Sequence, residues 1–432
     1  MRLASLPIVA LTLTFSAATA PTAEAQAAAP AATAALSLSS SAGVDANGSE
    51  AGDDARDPQY RGGRMSSDMR AGFNARGALP GKVQWQSAAS TGFQFYPTLQ
   101  EMLSTGYNGS VGIGFPIGRR TTVQVGESLG YVANYSLKIT PAPASAPVEA
   151  PPEESPAVQL VQPDFSVARR PAYTSATTVS VTHGLSQRFS VSGSYESQRT
   201  AFLESSTSDL SSASASAGLR YRLAKSIGVH ARYGRRLGHF EESAESGAAS
   251  VDDIDVGLDY GRGLKLSRKT TLNLTSGGTT VADKQGRHYA MTGMASLNYA
   301  IGRSDRATLS YDRSVRLVEG FLRPVFADSL TGTLAVNPSA RVRAVTSASY
   351  VTGNVGVGTS DNAYGAWTAA ANMNVRMTRT AGVYLSYSYY QHRLGDGVEL
   401  IEGVTSAALR HSLRVGVSAE ISLIAPQRRR GR

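Results

Sequence analysis

Apolar and polar residues alternate one for one through much of the chain, most cleanly from Ser212 to Leu223. Ala213, Ala215, Ala217, Leu219, Tyr221 and Leu223 share one parity, while Ser212, Ser214, Ser216, Gly218, Arg220 and Arg222 share the other. A period of two is that of a β-strand with unlike faces; a helix would mix the two sets. Val415, Val417, Ala419, Ile421 and Leu423 against Arg414, Gly416, Ser418, Glu420 and Ser422 repeat the pattern. So do Ile254, Val256, Leu258 and Tyr260 against Asp253, Asp255, Gly257 and Asp259. Short turns separate such segments at Pro116–Arg120, His183–Arg188, Leu223–Ser226, Leu266–Lys269, Ile301–Arg306, Asn337–Ala340 and Met377–Thr380. The strands are longer than those usual in soluble sheets and longer than the ~9–11 residues that cross a bilayer at a tilt.

The pattern predicts an all-β fold, a transmembrane antiparallel up-and-down β-barrel. Counting from Asn108–Phe115 to Ala407–Leu423 yields about fifteen strands by periodicity. If every short turn lies on one side, one outward strand must precede them, and Lys82–Tyr96 has the broken alternation for it (Val83, Trp85, Phe93, Phe95). The total is then about sixteen, an even number as single-chain bacterial barrels require, with fourteen as the alternative.

The flanks read differently. Residues 1–25 have Arg2, an apolar run from Leu3 to Ala18 and the small-residue site Ala23-Glu24-Ala25, the signature of a cleaved secretory signal peptide. Residues 26–81, rich in Ala, Ser and Gly, are expected to be a disordered or weakly ordered periplasmic extension. The barrel is expected over 82–424, with a proline-rich loop at 141–163, because proline cannot donate to a sheet ladder. Residues 425–432 form a basic tail containing Arg428, Arg429, Arg430 and Arg432.

Composition narrows the classes further. The charged fraction is only 17%, and no segment after the N-terminus has the apolar length of a membrane helix. The absence of cysteine removes disulfides, thiolate metal sites, a cysteine nucleophile and a lipoprotein anchor. The net charge of +9 is partly the tail's, so nucleic-acid binding is not inferred. The six histidines include no H-E-x-x-H or other close pair, so no metal and no cofactor is expected. Gly112-x-Gly114 and Gly261-x-Gly263 do not sit between a strand and a helix and are not phosphate loops.

Two sets of residues carry candidate roles. Tyr131, Tyr195, Tyr221, Tyr260, Tyr299, Tyr311 and Tyr387 mostly share the apolar parity of their strands, which suits an aromatic girdle at the headgroup boundary. An ordinary sheet with cross-strand tyrosine pairs is the plainer reading. On the opposite parity Arg220, Arg222 and Arg232 fall near Asp253, Asp255 and Asp259. Arginine facing lipid would cost about 2–4 kcal/mol at the midplane, so these charges belong in the lumen. There they form either a bracing ladder of salt bridges or a transverse field that selects charged solutes.

From about Lys82 to Leu423 the pattern resembles that of outer-membrane porin-like barrels. Leu309-Ser310-Tyr311-Asp312-Arg313-Ser314-Val315 looks like the tyrosine- and arginine-bearing strand of uncharacterised outer-membrane β-barrel proteins. Such barrels usually end in an aromatic residue, whereas this chain runs from Leu423-Ile424 through Ala425-Pro426 into the arginine tail. The resemblance implies residence in the outer membrane, contact with its lipid and handling by the barrel-assembly machinery. The functions in view are a pore or export conduit for small polar solutes or a polymer such as polysaccharide, a structural or adhesive barrel working through its loops, and a lipid-modifying barrel enzyme. The last would need His230 or His411 beside a lumen serine, and a non-enzyme is the favoured reading.

Overall fold

The structure, a computed structural model, describes residues 32–48, 62–79, 83–95, 103–132, 171–203, 210–224, 227–240, 247–260, 264–265, 267, 269–283, 286–302, 304–316, 325–356, 363–395 and 407–424. The expected signal peptide, the proline-rich loop and the basic tail lie outside these residues.

Every described element is a strand or a turn. The first nine strands are β1 (Ala32–Gly48), β2 (Gly62–Leu79), β3 (Val83–Phe95), β4 (Leu103–Ile117), β5 (Thr121–Val132), β6 (Ala172–Gly184), β7 (Phe189–Phe202), β8 (Leu210–Arg222) and β9 (Ile227–Phe240). β10 (Gly247–Tyr260) is followed by the two-residue β11 (Leu264–Lys265), then β12 (Thr270–Asp283), β13 (Gly286–Ala300) and β14 (Arg306–Arg316). The chain closes with β15 (Val325–Ser339), β16 (Val342–Val355), β17 (Ala363–Arg376), β18 (Ala381–Leu394) and β19 (Ala407–Ile424). Each strand pairs antiparallel with its sequence neighbours, and β1 pairs with β19, so the sheet closes on itself. β10 and β11 pair successively along β12 and share one stave. The ring therefore has 18 staves.

This corrects the count of about sixteen. The staves expected from Lys82 onward are β3 to β19, and the additional two are β1 and β2, which occupy much of the stretch read as an extension. Their alternation is shallow: Ala34, Leu36, Leu38, Ser40 and Ala42 face one way against Ser37, Ser39 and Ser41. Alanine and serine differ little in hydropathy, so the periodic signal fades, although β2 pairs with β3 without a break and β1 pairs with β19 with one register shift at Ala34/Ala35. Closure leaves no unpaired edge, and hence no row of backbone N–H and C=O groups exposed to hydrocarbon.

The ring has two unlike ends. β19 finishes beside the start of β1 (Ile424 opposite Ala34), so the first and last strands meet at the rim that carries the short turns at 118–120, 185–188, 340–341 and 377–380. The longer connections, such as 49–61, 133–171 and 395–406, join the other rim. Strands of 14 residues, as β7 and β9 are, span roughly 46 Å at about 3.3 Å per residue and exceed an apolar band about 25 Å tall even when tilted. The wall must therefore project beyond hydrocarbon.

Candidate functional site

Directly opposed residues on paired strands share a face, so the large exposed apolar side chains fix which way each stave looks. Outward lie Val111, Ile113, Leu219, Ile254, Val256, Leu309, Trp367, Leu413, Val415 and Val417, all solvent-exposed in the isolated chain. Inward lie small hydroxyls such as Ser41, Ser110, Ser128, Ser347, Ser349, Ser386 and Ser412. An apolar exterior around a polar interior inverts the arrangement of a soluble barrel, and it suits a wall bathed in lipid.

Inward parity also collects most of the wall's charge. Arg70, Arg76, Arg220, Arg222, Arg232, Arg236, Arg306, Arg343, Arg376, Arg410 and Arg414 lie on it, against Asp45, Asp68, Glu196, Asp253, Asp255, Asp312 and Glu420. Two places draw these into clusters.

The first is on β8, β9 and β10. Arg232 stands opposite Asp255, with Nη2 3.6 Å from Oδ2. His230 Nε2 is 3.4 Å from the same oxygen. Arg236 Nη2 lies 2.8 Å from Asp253 Oδ2, and its Nε donates to that oxygen at 2.9 Å. Gly257 faces His230 across the ladder, and a Cβ there would come within 2.4 Å of the imidazole. The cluster is wet: the Arg232 side chain is 58% exposed and Asp255 25%.

The second cluster crosses the seam where the chain's two ends meet, on β19, β1 and β2. Arg414 Nη1 is 3.1 Å from Asp68 Oδ2 and its Nη2 is 3.7 Å from Asp45 Oδ2. Ser41 donates to Asp68 at 3.3 Å and Ser66 to Asp45 at 3.0 Å. Arg414 Nε donates to Ser412 at 3.2 Å. Gly43, opposite Arg414, is required here, because a Cβ would stand 2.7 Å from the arginine Cγ. The side chains of Arg414 and Asp68 are only 7% and 6% exposed.

Among the six lumen charges expected from sequence, Arg232 and Asp255 meet as a pair. Asp253 is taken by Arg236, which sequence reasoning passed over, and His230 joins the group. Arg220 and Arg222 face the lumen on β8, exposed; the Asp259 side chain lies outside the described residues. The seam cluster was missed altogether. Its only signal was an arginine in the final strand's polar parity, since its carboxylates sit in the stretch read as an extension. His411 faces outward, where the Tyr387 hydroxyl meets its Nδ1 at 2.9 Å, and His230 is engaged by a carboxylate rather than a serine.

The tyrosines divide by height. Tyr221 and Tyr299 point outward near the short-turn rim. Tyr131 lies towards the other rim, between the rings of Tyr107 and Tyr173 at 6.0 and 5.2 Å, and Tyr311 sits at the middle of β14. Tyr195 and Tyr387 occupy mid-strand outward positions. Tyr260 ends β10, its side chain outside the described residues.

No family model matches the chain, and no curated protein does. Solved structures align with it over most of its length. Pseudomonas aeruginosa OpdQ superposes with a TM-score of 0.48 at 10% identity, over 91% of this chain and 98% of that one. Acinetobacter baumannii OccAB4 gives 0.46 at 11% identity over 92% and 99%. The FrpB iron transporter from Neisseria meningitidis gives 0.47 at 8% identity over 90% and 81%. The chain is a closed, up-and-down antiparallel β-barrel. Its closed ring and apolar exterior make the membrane's lipid its surroundings, and the lumen wall is the surface that any solute would meet.

Proposed function

We propose that the barrel is a pore for small polar solutes, with a preference for anions. The observation that carries this reading is the inward face: among the described residues arginines outnumber carboxylates along it, on β2, β8, β9, β14, β16, β17 and β19. A ring of 18 staves falls in the size class that encloses an aqueous channel rather than a packed core. In a channel walled by low-dielectric protein and lipid, field lines focus, and an excess of fixed positive charge raises the local concentration of anions.

The experiment is conductance of the refolded protein in a planar bilayer under a potassium chloride gradient. The expected reversal potential is that of an anion-preferring pore. A cation preference would overturn the selectivity, and a folded barrel that conducts nothing would overturn the pore. The barrel-assembly machinery belongs to the same proposal as the partner that inserts the chain.

A further inference from the structure

The outer face carries charge as well, and in one half only. Among the described residues, the charged side chains facing outward along the strands are Glu127, Arg199, Arg235, Asp252, Arg287, Arg313, Asp328 and Arg393. All lie in the half of their strands nearer the long connections; from mid-wall to the short turns, outward positions bear no Asp, Glu, Lys or Arg. Arginines are in excess. Two of them sit in the same construction. On β9 and β10 the Tyr233 hydroxyl donates to Asp252 Oδ1 at 2.7 Å, and Arg235 Nε approaches that oxygen at 3.8 Å. On β14 and β15 the Tyr311 hydroxyl donates to Asp328 Oδ1 at 2.5 Å, and Arg313 Nε stands 3.8 Å away. In each case a Tyr-x-Arg strand faces an aspartate directly opposite the arginine. Arg313 also lies 4.8 Å over the Phe326 ring.

Arginine on the lipid face is costly at mid-bilayer and nearly free at the interface, so these groups mark where hydrocarbon ends on the long-connection side. The aspartate engages the guanidinium through Nε, and the tyrosine holds the aspartate. Both arginine side chains remain about half exposed, at 56% and 44%. A planar fork held in place matches the paired oxygens of a phosphate. β9 and β14 are four stave spacings apart, roughly 19 Å at about 4.8 Å each, and Arg287 on β13 lies between them on the same face.

We propose that Arg235 and Arg313, each set by its Tyr–Asp partner, bind the phosphate groups of a phosphorylated glycolipid in the outer leaflet. In outer-membrane barrels the longer connections lie on the extracellular side, so a net positive half-face restricted to that side points to the outer leaflet. This surface is separate from the lumen, and the proposal does not depend on conduction.

The test uses the refolded full chain with bisphosphorylated lipid A and with its dephosphorylated form, both in mixed detergent micelles. Wild type should bind the phosphorylated form about tenfold more tightly or better, as charge-assisted contacts at a partly exposed surface allow. R235Q/R313Q should lose that preference, and either single substitution should lose part of it. R188Q/R341Q, which removes two arginines from short turns at the opposite rim, should retain it. Equal binding of the two lipids by wild type would overturn the proposal, as would an unchanged preference in R235Q/R313Q. Displacement of the lipid by millimolar inorganic phosphate would also overturn it, by making the site one for a free ion.

Discussion

The two lumen clusters use the same chemistry in opposite circumstances. Counted round the ring, β1 at the seam and β10 are nine staves apart in 18, on facing walls. At the seam one arginine is shared by two carboxylates and serine hydroxyls, nearly closed off from water. Opposite, two arginines and a histidine divide two carboxylates in the open. A desolvated charge is bound to its partners, because leaving it alone in low dielectric costs several kcal/mol. A solvated pair is worth little to stability, yet its field reaches the channel. The seam is therefore built to close the ring, and the facing wall to act on what passes.

The largest effect should come from Arg414→Gln. It strands Asp68 and Asp45 at the closure, so a loss of about 3–5 kcal/mol is expected. Heat-modifiability on gels would read it as a barrel that opens at far lower temperature. Arg232→Gln, read the same way, should cost less than about 1 kcal/mol. Equal losses would abolish the distinction between the clusters.

A second comparison sets the seam's two faces against each other. Arg at Val417, a position 58% exposed to the outside, should cost about 2–4 kcal/mol and impair membrane assembly. Arg at Ser418 turns to the lumen and should assemble. Equal effects at both positions would show that the faces are not lipid and water.

Next in size is Gly43→Ala. The added methyl pushes on a buried arginine that has nowhere to go, and about 1–3 kcal/mol is expected from overpacking. Gly257→Ala meets the partly exposed His230 ring and the Thr275 methyl, both side-chain atoms, and should cost less. Urea midpoints for the pair would test the order.

Selectivity separates the clusters in the other direction. Neutralising Arg220, Arg222 and Arg232 together should move the reversal potential towards cations. Changing Asp253 and Asp255 to Asn should move it towards anions. Asp45→Asn, shielded at the seam, should shift it least. A larger shift from Asp45 than from the exposed pair would reverse the roles assigned here.

Much of the fold was legible from β3 onward, since Val, Ile, Leu and Tyr alternating with Ser, Gly and Arg give a strong period of two. β1 and β2 were hidden because Ala–Ser alternation carries almost no hydropathy contrast. The lumen charges were legible as a parity and, for Arg232 and Asp255, as neighbours, because a hairpin brings near what is near in sequence. Arg236 was lost to a register offset of two residues, which decides that Asp253 reaches diagonally rather than straight across.

What the sequence determined by itself was face: once a segment is a strand, parity assigns each side chain to lipid or lumen, because successive Cβ atoms must point oppositely. Tertiary structure alone decided closure. Arg414 and Asp45 are separated by almost the whole chain and become neighbours only when the last strand finds the first. No local pattern encodes that meeting. Closing the ring is a cooperative consequence of satisfying every edge group at once in a medium that offers no water to do it.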